Sequence, residues 1–203
     1  MKTYSRFAAP RAAVPAAAVL AAAAALFPAA SPGAAPVSRQ EGLAAFETVR
    51  AVLQHPRCQS CHIPGDAPLQ FDEGRTHGQN VKRGPEGQGA AGLPCATCHQ
   101  SKNLPASFGA NMPPGAPNWH LPPAGTPMVF IRLTPAQLCA TIKDPKATKG
   151  KDLPAMLEHV THDELVGWGW DPGVGRAPVP VPRAELTAAF RTWMDAGAPC
   201  PAR

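Results

Sequence analysis

Several kinds of segment are missing from this chain of 203 residues. After residue 35 no stretch is apolar enough to span a bilayer, so the later chain predicts no membrane-spanning helix. No Lys/Arg cluster interleaves with aromatic residues, which argues against a nucleic-acid surface. There is no phosphate-binding glycine loop and no acid/base constellation. No alternation of apolar and polar residues is long enough to predict a strand. Acidic residues are absent before Glu41, while Lys2, Arg6 and Arg11 precede an Ala-rich apolar run from Ala12 to Phe27 and small residues follow through Ala35. That order predicts a secretory signal over residues 1–35, cleaved within 29–35, without a twin-arginine pair. The alternative is an uncleaved anchor, for which the run is short against the ~20 residues a span needs. The expected location is a periplasm or an equivalent oxidising compartment, with no stable membrane insertion after signal cleavage. Without the leader, 16 Lys+Arg face 14 Asp+Glu, so most of the formal +5 belongs to the leader.

What is present in quantity is proline (26) and glycine (18), which predicts long irregular loops while remaining below the level of a disordered chain. Helical spacing appears at Leu43, Phe46, Val49 and Leu53, ended by Pro56. Residues 63–133 hold six glycines in 74–92 and seven prolines in 104–127, and no long helix is expected there. Helical signals return at Thr134, an N-cap before Pro135, with Leu138 and Ile142 on one face. Asp152 is expected to cap a helix carrying Met156, Leu157 and Val160, with a capping box at Thr161–Glu164 restarting it. Leu186, Phe190 and Trp193 predict a last helix over 184–196 that stops at Gly197. The expected fold is all-α with extensive coil, with 134–203 as a helical C-terminal region packed on residues 36–133.

The cysteines say what residues 36–133 are expected to be: a diheme-binding region, cytochrome c-like, under a helical C-terminal cap, on the following motifs. Four of six fall in Cys58-Gln59-Ser60-Cys61-His62 and Cys95-Ala96-Thr97-Cys98-His99. Cys-x-x-Cys-His is the attachment signature of heme c. Two thiols add across the two vinyl groups of the porphyrin, and the adjacent imidazole becomes the proximal iron ligand. Composition alone gives roughly 0.006 copies by chance, so two copies are informative. A Cys₄ zinc site usually spaces its pairs more closely, and gives no reason for a histidine after both. A thioredoxin-like pair needs a βαβ context that is not visible. The expected cofactor is therefore heme c, two copies, covalently held by Cys58, Cys61, Cys95 and Cys98, with His62 and His99 as iron ligands. His77, in a glycine-rich loop fifteen residues past His62, and His120, beside Trp119, are the leading distal ligands. Met112, Met128 and His162 stay open as alternatives, while His159 and His55 read as packing or surface residues. Cys139 and Cys200 are left over. In an exported chain an even remainder predicts one disulfide, the alternative being two free buried thiols.

The segments Pro56–His62, Met112-Pro113-Pro114-Gly115-Ala116-Pro117-Asn118-Trp119, Trp168-Gly169-Trp170-Asp171-Pro172-Gly173 and Trp193–Cys200 resemble a family of exported diheme cytochromes c from proteobacteria, of the type labelled cytochrome subunit of isoquinoline 1-oxidoreductase. The resemblance covers most of the chain after residue 41, and only the heme motifs are specific in themselves. It implies electron transfer with a redox protein partner, a periplasmic molybdenum-containing dehydrogenase, toward a respiratory acceptor. The residues themselves favour an electron carrier over an enzyme, since every strong motif is spent on holding heme. The alternative is a small heme enzyme, a peroxidase or sulfur-compound oxidoreductase, with one open iron site.

Overall fold

Ser38 opens the first helix. Its hydroxyl accepts a hydrogen bond from the Glu41 amide (3.2 Å), and the Glu41 carboxylate accepts one from the Ser38 amide (2.7 Å). This reciprocal cap satisfies two amides that have no helical partner. Helix α1 runs Arg39–Leu53 and buries Phe46, Val49, Val52 and Leu53 along one stripe. The computed structural model describes residues 35–202, so the expected signal segment, Ala35 apart, lies outside the described residues.

A short helix α2, Pro56–Gln59, follows. The chain then runs as coil to residue 134. This coil is interrupted by two antiparallel ladders of two-residue strands, β1 (Leu69–Gln70) with β2 (Arg75–Thr76) and β3 (Gly89–Ala90) with β4 (Leu93–Pro94). Short 3₁₀ turns stand at Cys95–Thr97 and Ala106–Phe108. Helix α3, Pro135–Lys143, starts at the expected Thr134 cap, and Gln137 completes a reciprocal box. Helix α4, Leu153–His162, starts at Asp152, whose carboxylate accepts from the Ala155 amide (2.9 Å).

The helix restart differs from the sequence expectation. Asp163 caps α5 (Glu164–Gly167), accepting from the Leu165 and Val166 amides at 2.8 and 3.1 Å. Thr161 cannot serve as the cap because α4 is still helical there, and its hydroxyl meets that of Thr187 at 3.2 Å. Helix α6, Arg183–Asp195, ends before Gly197, whose φ of +81° suits glycine.

Where the described chain is regular it is mostly helical, with few short strands and much coil. The helical core joins both ends of the chain. Phe46 of α1 meets Trp193 of α6 (ring centres 5.2 Å), and Phe190 meets Trp193 edge-on. Leu138, Cys139, Ile142, Met156 and Val160 from α3 and α4 complete it. Helix α1 therefore packs with the C-terminal helices, although it precedes the coil in sequence. Gly42 permits this approach, because a Cβ there would fall 2.4 Å from that of Ala196. No helix among the described residues is long and apolar enough to cross a membrane.

The expected Cys139–Cys200 disulfide is present and closes a separation of 61 residues between α3 and the C-terminus. Lys143 Nζ donates to the Ala198 carbonyl (2.7 Å) and Trp193 Nε1 to that of Pro199 (2.9 Å), so the same end is held three ways. Removing the bridge, by Cys139→Ser with Cys200→Ser, is expected to lower the unfolding free energy by up to about 4 kcal/mol. Denaturant unfolding of the two proteins measures this, and equal midpoints would show that the bridge contributes nothing.

Candidate functional site

Both Cys-x-x-Cys-His segments fold as the same single helical turn. The Cys58 carbonyl accepts from the amides of Cys61 (3.3 Å) and His62 (3.2 Å), and the Cys95 carbonyl from those of Cys98 (3.2 Å) and His99 (3.0 Å). Positions i, i+3 and i+4 share one face of such a turn, so two sulfurs and one imidazole stand together. The first turn grows out of α2, whose cap is His55: its Nδ1 accepts from the Arg57 amide at 3.3 Å. The second is the 3₁₀ turn that follows Pro94.

The four motif cysteines are unpaired. Burial pushes the Cys58 thiol up to about 12 and the Cys61 thiol up to about 11, and it raises Cys95 as well. Reactive redox pairs and zinc sites use thiolates, which this environment disfavours. Among the described residues, no three His, Cys, Asp or Glu side chains gather into a metal site. A metal held here would take most of its ligands from a group that arrives with it.

The two motif histidines are prepared alike. His62 Nδ1 lies 2.8 Å from the Met128 carbonyl and His99 Nδ1 lies 2.7 Å from the Pro114 carbonyl. A carbonyl only accepts, so each Nδ1 carries the proton and each Nε2 keeps a free lone pair, the usual preparation of a metal-binding imidazole. Burial lowers His62 to about 4 and also lowers His99, so both stay neutral near pH 7. Stacked rings hold their planes: Phe130 on His62 (centres 3.9 Å, 13°) and Trp119 on His99 (4.3 Å, 8°).

Each motif lines a cavity of its own. The first, about 210 Å³, takes Cys58, Cys61 and His62, with apolar walls from Leu53, Ile142, Val160 and Phe190. The second, about 380 Å³, takes Cys95, Cys98 and His99, with walls from Leu69, Phe71, Val81 and Leu121 of the coil. Arg57, Cys61, Trp119 and Trp168 line both, so the cavities share a wall. The second lies within the usual size of a small-molecule site, and the first is narrower. Paired thiols, a neutral imidazole and mostly apolar walls suit a mostly apolar group in each.

The sequence-expected distal residues divide between the cavities. His77 lines the second, its ring centre 6.3 Å from that of His99. Two imidazoles on opposite sides of one metal, each bonded at roughly 2 Å, have centres ~6 Å apart, so this spacing fits a shared metal. His77 Nδ1 lies 2.9 Å from the Gly78 carbonyl, which leaves its Nε2 as the free nitrogen. His120 lines the first cavity with its Nδ1 2.5 Å from the Asn118 carbonyl, and Met128 lines it too. Met112 is not among the lining residues, and its carbonyl accepts from Arg176 (2.7 Å). His162 is exposed, pairs with Glu158 (2.8 Å) and lines neither cavity.

Sequence reasoning missed His159. It lines the first cavity beside Met156, and its Nδ1 lies 3.3 Å from the Asp163 carboxylate. Burial lowers its pKa, with the neighbouring Asp163 opposing. The available signal was its place three residues after Met156, on the inward stripe of α4. No family model, curated protein or solved structure matches this chain.

Trp119 stacks on His99 and meets Trp168 edge-on, with ring centres 5.1 Å apart. Trp119→Ala is expected to destabilise the protein by about 2–4 kcal/mol, and Trp119→Phe by less than half as much. Chemical unfolding of both variants checks this; equal losses would show that the stack itself contributes little.

Proposed function

We propose that this chain is a diheme c-type cytochrome that works outside the cytoplasm as an electron carrier, from a dehydrogenase toward a respiratory acceptor. One observation carries the reading. Twice over, a single helical turn presents two unpaired thiols and one neutral, carbonyl-held imidazole to a largely apolar cavity.

Bound heme would supply a one-electron iron couple to the protein. The chain's own residues do the rest. Cys58, Cys61, Cys95 and Cys98 would hold the heme, each thiol adding sulfur to one vinyl carbon and hydrogen to the other, which needs no leaving group. His62 and His99 would hold the iron through Nε2. The 6.3 Å between the ring centres of His77 and His99 supports His77 as the second histidine that would hold the iron with His99. For the first cavity His120 is the leading distal ligand, with Met128, Met156 and His159 in the same walls. The walls of both cavities are mostly apolar. The Cys139–Cys200 disulfide supports an oxidising compartment, where such bridges persist. The partner is a redox protein, and the family resemblance suggests a molybdenum-containing dehydrogenase. Lys149 and Lys151 are exposed and border the first cavity, where they would guide an acidic partner surface.

A second reading, a small heme enzyme, is favoured by one feature. His159, held by Asp163 beside the first cavity, is placed to move a proton if that iron keeps an open position.

The tests follow from the geometry. Mass spectrometry of matured protein should give two hemes per chain, and acid–acetone should extract neither. His77→Ala should convert one heme to high spin in the visible and EPR spectra while the other is unchanged. Reduced protein should pass electrons rapidly to a generic acceptor, with a salt-dependent rate, and turn over peroxide negligibly. Zero or one covalent heme would refute the cytochrome reading, and substantial peroxide turnover would replace the carrier with the enzyme.

A further inference from the structure

One backbone carbonyl orients each motif imidazole, that of Met128 for His62 and that of Pro114 for His99. Neither carbonyl belongs to a helix or a ladder, so no regular structure fixes where it stands. A hydrogen bond weakens steeply once its angle or length is lost, so each carbonyl needs support from elsewhere. In both cases that support comes from one half-buried carboxamide side chain close by in the fold.

For the first motif the side chain is Gln54, the residue that ends α1. Its Nε2 donates to the Leu133 carbonyl (2.8 Å) and the Phe130 carbonyl (3.3 Å). Its Oε1 accepts from Arg50 Nη1 (3.1 Å), and Arg50 is itself paired with Glu47. Phe130 stacks on His62, and its amide donates to the His62 carbonyl (3.0 Å). The segment that carries the Met128 carbonyl is thus tied at one end to His62 and at the other to α1.

For the second motif the side chain is Asn103. Its Oδ1 accepts from the Gly115 amide (3.0 Å) and its Nδ2 donates to the Asp171 carbonyl (2.6 Å). Gly115 follows Pro114 directly, and it is threaded so closely that a Cβ there would fall 2.1 Å from the Lys102 carbonyl oxygen. Asp171 follows the turn that carries Trp168, whose ring meets the Trp119 ring stacked on His99. Asn103 therefore joins the carbonyl that orients His99 to the turn behind the ring that stacks on it.

Each of these side chains meets a donor and an acceptor at once, and a carboxamide offers both at one carbon without a charge. We propose that Gln54 and Asn103 are positioning residues, each holding the carbonyl that orients one motif imidazole. This rests on the diheme reading above, in which the Nε2 of each imidazole faces iron. A carbonyl on Nδ1–H raises the basicity of the ligand, and a more basic ligand favours the oxidised iron. Gln54 thereby holds down the potential of the first heme and Asn103 that of the second, each acting on one iron alone.

The experiment uses matured holoprotein, with heme content established first by mass spectrometry. Fewer than two hemes in the parent protein would overturn the diheme reading, and the proposal with it. With two hemes present, Gln54→Met, which keeps the length and removes the donor, is expected to raise one midpoint potential in a spectroelectrochemical titration. Asn103→Leu is expected to raise the other. In the reduced, diamagnetic protein with isotope-labelled histidine, one ring N–H resonance should exchange with solvent about tenfold faster in Gln54→Met, and a different one in Asn103→Leu, as expected for the loss of one hydrogen bond. If either variant does not mature, Gln54→Leu or Asn103→Ser replaces it. Two hemes with unchanged potentials and unchanged ring N–H exchange in both variants would overturn the proposal and leave the two carboxamides as packing residues. So would a shift of both potentials together in each variant.

Discussion

Arg83 is the interaction on which the coil between α2 and α3 depends. Its side chain is 1% exposed, and its guanidinium donates to the carbonyls of Ile63, Gly65 and Pro122 at 2.6–2.9 Å. Taking a guanidinium out of water is costly unless its donors are met, and here backbone carbonyls meet them. The same carbonyls have no ladder or helix to satisfy them, so cation and coil solve each other's problem. The Arg83 carbonyl in turn accepts from the Gly89 amide (2.8 Å), beside Gly84, where any Cβ would strike the Gly89 carbonyl oxygen at 2.1 Å. One side chain thereby links the segment leaving the first motif to the segment entering the second. Cys61 lies near the Arg83 guanidinium, whose charge opposes the effect of burial on its thiol.

The two cavities are built from different material. The first leans on helices, and its apolar walls are continuous with the core around Phe190 and Val160. The second is walled mainly by coil, where Leu69, Phe71, Val81 and Leu121 have no helix behind them. Coil of this kind buries little apolar surface by itself, and an apolar group bound there would add what it lacks. The wall between them is built largely of aromatic rings. Trp119 and Trp168 cross edge-on there, and the Arg57 guanidinium lies near the Trp168 ring. Groups on either side would be close neighbours with a fixed medium between them.

How much of this was legible in the sequence depends on the range of the interaction. The helices were readable because caps and apolar periodicity act within one or two turns: Thr134, Asp152 and the Leu186–Phe190–Trp193 stripe all stand where the local pattern put them. The restart at Asp163 was misread by two residues because Thr161 and Asp163 are both good caps, and only the length of α4 decides between them. The grouping of two sulfurs and one imidazole was readable because the Cys-x-x-Cys-His spacing is itself one helical turn. Arg57 and Arg83 were not readable. An arginine's default place is the surface, and their burial follows from Asp72, Ile63, Gly65 and Pro122, contacts that only the folded chain assembles. The pairing of α1 with α6 was hidden for the same reason, since no local pattern says which face meets which.

The chain's path between the cavities explains why two copies of one motif sit in a sequence with no duplicated halves. His77 follows the first motif but lines the cavity of the second, and His120 follows the second motif but lines the cavity of the first. Met128, whose carbonyl fixes His62, and Phe130, which stacks on it, also come from beyond the second motif. Each cavity is therefore finished by the other's downstream segment. A cut between residues 77 and 95 would leave the first motif without the groups that orient its imidazole, and the second cavity without His77. Two motifs that complete one another in this crossed manner cannot drift apart into independent units, and the segments between them are held to different tasks. Divergence of those segments around two retained attachment turns is what that constraint predicts.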